Sequence, residues 1–79
     1  MKITYDPKYN VAYIQLREKT PDSETIKISD ELNIDLTPDG KVQGIELLNA
    51  NDQLDIIKTQ ALTFFNEQTQ QKVELPIAI

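Results

Sequence analysis

The sequence predicts one α+β domain, an antiparallel β-meander of four to five strands packed with one amphipathic helix. Up to about residue 48, apolar and polar residues alternate with a period of two in segment after segment. Pro38-Asp39-Gly40 carries the strongest turn signal in the chain and sits between two of those segments. Beyond about residue 52 the apolar positions recur with a helical period instead.

Residues 2–6 read as the first strand, with Ile3 and Tyr5 on one face. Asp6-Pro7-Lys8-Tyr9-Asn10 is a turn, because Pro7 cannot donate to a ladder and Asn10 tolerates left-handed geometry. Residues 11–17 follow as the clearest strand. Ala12, Ile14 and Leu16 share one side, and Val11, Tyr13, Gln15 and Arg17 share the other. These two strands form a hairpin.

A polar loop containing Pro21 leads to residues 24–29, where Ile26 and Ile28 alternate with Thr25, Lys27 and Ser29. In residues 31–37, Leu32, Ile34 and Leu36 point inward, and Asn33, Asp35 and Thr37 outward. Asp30-Glu31, between these strands, is a tight turn or a bulge. Pro38, Asp39 and Gly40 fit a type I turn closed by a glycine bulge, leading into a strand over residues 41–48. Ile45 and Leu47 face the core there and Glu46 faces water. Gly44 marks a bulge or a close backbone approach.

Leu54, Ile57, Lys58, Ala61, Leu62 and Phe65 fall on one helical stripe, which places a helix over about residues 51–66, capped by Asn51 or Asp52. Phe64 lies off the centre of that stripe. Residues 67–79 form a C-terminal tail or extra edge strand, since Pro76 is excluded from a central strand. No internal repeat or linker composition divides the 79 residues, so one domain spans them.

The composition narrows the chemistry. With neither cysteine nor histidine, the chain lacks a thiolate and the commonest general base and transition-metal ligand. A cytoplasmic location is expected, with no signal peptide and no membrane span. Thirteen acidic residues against eight basic ones give a net charge of −5, which argues against nucleic acid and anionic membrane as partners. Phosphate-binding glycine loops, a serine nucleophile motif and a calcium-loop spacing are missing, so no cofactor and no metal are expected. The one acid–base device is a carboxylate pair, Asp35 and Glu46, on adjacent strands and on one sheet face.

Two features suggest contact with other molecules. Tyr5, Tyr9 and Tyr13 gather on the first hairpin, either packing a half-buried face or meeting a partner. In the tail Leu75, Ile77 and Ile79 alternate, and such residues are seldom left in water. They pack back on their own sheet or helix, or pair with another molecule. With Phe64, these residues form the candidate interaction set.

Met1-Lys2-Ile3-Thr4-Tyr5-Asp6-Pro7, then Ala12-Tyr13-Ile14-Gln15-Leu16, then the run from Ile34 through Asp39-Gly40 and Gly44-Ile45-Glu46-Leu47-Leu48 to Ala50, resemble the bacterial and archaeal domain-of-unknown-function family 2283 over about residues 1–50. The resemblance implies a compact sheet domain and no established activity. Some members look like the smaller partner of toxin–antitoxin pairs, which would make this chain an acidic binder of a basic toxin.

The expected function is a non-enzymatic protein-interaction module, self-associating (a dimer before higher assemblies) or binding a protein partner. It would do so through a sheet edge, the aromatic hairpin and the apolar tail. The antitoxin-like role and a carboxylate-based hydrolase or metal-dependent enzyme are the alternatives.

Overall fold

The structure, a computed structural model, describes residues 1–77. Five strands, β1 (Lys2–Asp6), β2 (Val11–Gln15), β3 (Glu24–Ser29), β4 (Leu32–Leu36) and β5 (Val42–Leu48), form one antiparallel sheet in the order β1-β2-β5-β4-β3. Two one-turn helices follow, α1 (Ala50–Gln53) and α2 (Ile56–Thr59), and then a separate two-stranded hairpin of β6 (Ala61–Asn66) and β7 (Gln71–Pro76). The fold is therefore largely β rather than α+β. The meander is real for β3-β4-β5 but is interrupted after β2. The loop over residues 16–23 carries the chain to the far edge, and β2 pairs with β5 instead of β3.

The expected helix over residues 51–66 is the main correction. Gln60 adopts a left-handed φ of 52°, which stops helical propagation. Beyond it, Thr63, Phe64 and Phe65 are β-branched or aromatic, and a pleated ribbon suits them. Leu62 pairs with Leu75 and Phe64 with Val73, so Phe64, off-axis on a helical stripe, falls in line as a strand residue. Residues 71–76 are a strand as the tail reading allowed, but β7 extends β6 and not the main sheet. Pro76 sits at the strand's end, where its missing N–H is tolerated.

Turn chemistry fixes the hairpins. In the first, the Asp6 carboxylate accepts the N–H groups of Lys8 (2.9 Å) and Tyr9 (3.4 Å), and Asn10 closes the turn at φ 57°. The last hairpin repeats this design: Asn66 Oδ1 accepts from Gln68 N (3.0 Å) and Thr69 N (3.2 Å), and Gln70 closes at φ 61°. The β4–β5 turn follows the Pro-Asp-Gly reading. Gly40 has φ 83° and donates its N–H to Thr37 O at 2.9 Å. The Thr37 hydroxyl donates to the Asp39 carboxylate and holds it below the usual carboxylate range. Asp30-Glu31 is a tight turn, with a register shift beside it between Lys27 and Ser29.

The buried core is small. Ala12, Leu47 and Ala50 are buried, and Tyr5, Ile14, Leu32, Ile45 and Leu54 pack partly buried around them. α1 thus covers one end of one sheet face. Asn49, at its N-cap position, is left-handed; its side chain makes no capping bond, and its carbonyl accepts the Asp52 N–H at 3.1 Å. Leu54 N bonds Ala50 O at 2.8 Å, and Asn51 N bonds Asn10 Oδ1 at 2.9 Å, tying the helix to the first turn.

Candidate functional site

Register places every side chain of the main sheet on one of two faces. On the first, Thr4, Tyr13, Glu46, Asn33 and Lys27 line up across the five strands. Beside them run Lys2, Gln15, Gly44, Asp35 and Thr25. All of these but Lys27 and Gly44, together with Lys19, line a polar trough of about 460 Å³. The Tyr13 ring lies across Gly44, where a β-carbon would come within 2.0 Å of its hydroxyl oxygen. The close approach expected at Gly44 is therefore made by a tyrosine.

That crossing lets the Tyr13 hydroxyl donate to Asp35 Oδ2 at 2.8 Å, while the Thr25 hydroxyl donates to Asp35 Oδ1 at 2.5 Å. Asn33 Nδ2 donates to Glu46 Oε1 at 2.8 Å, and the Lys19 ammonium stands 5.7 Å from the Tyr13 ring centre. Burial, and next the Asp35 carboxylate, push the Tyr13 pKa above its usual value. The Gln43 amide beside the same hydroxyl acts weakly in the other direction. Asp35 and Glu46 do share a face, as expected, but each has a neutral side-chain donor. The Tyr13 proton is committed to Asp35, so the trio reads as a cross-strand clamp. Among the described residues no group of three or more carboxylates is placed to hold a metal ion, and no helix is long and apolar enough to cross a membrane.

Gln43 is the extra residue of a β5 bulge, opposite the step from Asp35 to Leu36. It is fully buried, and its Oε1 accepts from Thr20 N at 2.9 Å and Thr20 Oγ1 at 3.2 Å, pinning the β2–β3 loop. Its Nε2 finds no hydrogen-bond partner among the described residues.

The second face is apolar. Ile3, Ile14, Ile45, Ile34 and Ile26 stand opposite one another on β1, β2, β5, β4 and β3, a row of five isoleucines crossing the whole sheet. Tyr5, Ala12, Leu47 and Leu32 form the next row, and α1 covers that end. Among the described residues nothing comparable covers the isoleucines. Ile3 and Ile26 are each 38% exposed, and Ile14, Ile34 and Ile45 are only partly buried. Among the described residues the extensive contacts of β6 and β7 are with each other, and neither packs extensively on this face. Its Leu62, Leu75, Phe64 and Val73 share one side and lie open, Phe64 at 66%.

The candidate interaction residues are thus divided. Tyr5 lies on the apolar face, with its hydroxyl 3.3 Å from Asn10 Oδ1. Tyr9 is on the turn beneath the Lys8 ammonium, and Tyr13 is on the polar face. They make no aromatic cluster, because residues directly opposite share a face and Tyr5 opposes Ala12. Phe64 and Leu75 do come together, with Leu62 and Val73, which the sequence reading missed. Ile77 follows β7 and donates its N–H to Gln60 O at 2.8 Å, closing the base of the hairpin. Ile79 lies outside the described residues.

Comparison with known proteins places the main sheet. The model of the family described as protein of unknown function (DUF2283) matches residues 2–51. The chain belongs to the DUF2283 family. No curated protein and no solved structure matches it. The DUF2283 segment contains all five strands of the sheet, the Tyr13–Asp35 clamp and the isoleucine row, and it ends within α1. The β6–β7 hairpin lies beyond the DUF2283 match.

Proposed function

We propose that the chain is a non-enzymatic protein-interaction module that self-associates through the apolar face of its main sheet. The observation that carries this reading is the row of five isoleucines, over which the described residues place no second layer. A sheet with one apolar face needs a packed layer there, and α1 supplies only part of one.

The surface area supports the same reading. A folded monomer of this mass should expose about 4,850 Å². The chain exposes 6184 Å². The excess, about 1,300 Å², exceeds the ~800 Å² that each partner buries in a standard interface. The radius of gyration, 14.2 Å, also exceeds the ~11.6 Å of a compact chain this long. The β3 edge is a poorer route than the face, because β3 is broken by the Lys27/Ser29 bulge and carries an exposed lysine.

Sedimentation equilibrium of the full chain tests this. A dimer is expected at tens of micromolar, and Ile3→Lys with Ile26→Lys, both at the exposed ends of the row, should shift it toward monomer with the circular dichroism unchanged. A monomeric full chain at several hundred micromolar would overturn the reading.

A further inference from the structure

We infer that the occupant of the isoleucine row is the β6–β7 hairpin of a second copy, each chain lending its hairpin to the other. This rests on the self-association proposed above and specifies how it is built. Each chain carries two open apolar surfaces, the isoleucine row and the Leu62, Phe64, Val73 and Leu75 side of the hairpin. Stacking two isoleucine faces directly would leave both hairpins with Val73 and Leu75 more than half exposed (53% and 54%). Exchange buries all four surfaces at once.

Dimensions agree. The row crosses five strands, four spacings of about 4.8 Å, and so runs about 19 Å. β6 has six residues and extends about 20 Å. Orthogonal packing of one sheet on another would lay the hairpin along the row, with Phe64 near its middle. The opposite side of the hairpin is mixed: Thr63, Glu74 and Lys72 are polar, while Phe65, opposite Lys72, and Ala61, opposite Pro76, are not, so the Leu62, Phe64, Val73 and Leu75 side is the more apolar of the two. A lone two-stranded ribbon is marginal in water, so the hairpin itself gains from the contact.

The chain contains no cysteine, so engineered pairs report cleanly. Full-length Phe64→Cys and Ile34→Cys are prepared separately, mixed and oxidised, with Thr4→Cys on the polar face replacing Ile34→Cys as the control. Exchange predicts a disulfide-linked heterodimer of twice the 9.0 kDa chain mass, at least about tenfold more abundant than the control pairing. Its absence from a sample that sediments as a dimer, with Ile34→Cys linking to itself instead, would overturn exchange and leave self-association standing. A chain with both cysteines that closes within one molecule would also overturn it. Monomer throughout would remove both ideas.

Discussion

The Tyr13 hydroxyl reaches Asp35 by crossing over Gly44, from β2 across β5 to β4, and donates to Oδ2 at 2.8 Å. One side chain thus ties β2 to the β4–β5 hairpin, from which it is separated in the chain by β3.

Tyr13→Phe should lower stability by about 1–2 kcal/mol, the scale of a hydrogen bond to a charged acceptor on a half-buried face. In a domain this small each 1 kcal/mol shifts Tm by about 4–8 °C. The pH dependence has a definite sign. Folding raises the Tyr13 pKa, so the native state favours the protonated phenol. That contribution is complete below the unfolded value near 10 and is lost as pH climbs through the raised folded value. Urea unfolding at pH 9 and 11 should therefore show a larger alkaline loss in the wild type than in Tyr13→Phe. Equal losses would mean the clamp is not formed.

The two glycines should fail for different reasons. At Gly44 a methyl would enter the space of the Tyr13 ring, so Gly44→Ala should cost about 3 kcal/mol. Tyr13→Ala in the same chain should recover at least about 1 kcal/mol of that. At Gly40 nothing lies within 4 Å of the β-carbon position, but φ is 83°. Gly40→Ala should cost about 1 kcal/mol through the backbone alone, and Gly40→Asn less. Thermal melts of the four single variants and the double variant distinguish these cases. Additive effects at positions 13 and 44 would count against the crossing.

Asn10 links the first hairpin to α1. Its Nδ2 reaches Asn51 Oδ1 at 2.5 Å and Asn49 Oδ1 at 3.1 Å, and its Oδ1 accepts from Asn51 N at 2.9 Å. Asn10→Ala should cost about 2 kcal/mol, combining lost hydrogen bonds with a left-handed φ that alanine disfavours. Asn10→Gly keeps the backbone freedom and should cost about half as much. Hydrogen exchange of the Ala50 amide, which bonds Asn10 O at 2.9 Å, should speed up in both. Unchanged exchange would show that α1 is held elsewhere.

Most of the main sheet was legible residue by residue. The period-two alternation put Ala12, Ile14, Leu32, Ile34, Ile45 and Leu47 on their faces, though the strand expected over residues 11–17 stops at Gln15 and leaves Leu16 outside it, and Pro38-Asp39-Gly40 set its own turn. The order of strands was not legible, because alternation describes each strand alone and says nothing of its neighbour. The pairing of β2 with β5 aligns the five isoleucines and sends Tyr13 to Asp35. The hairpin was misread because Leu54, Ala61, Leu62 and Phe65 fit a helical stripe while Leu62 and Phe64 fit a strand. Phe64 off the stripe, flanked by Thr63 and Phe65, was the local sign that the strand would win.

If a second chain supplies the layer over the isoleucine row, the fate of each molecule depends on how many others surround it. If half of its apolar layer arrives with a second chain, mass action adds to folding, and the fraction exposed to proteases rises as the protein becomes scarce. A cell making few copies would then hold proportionally fewer intact ones.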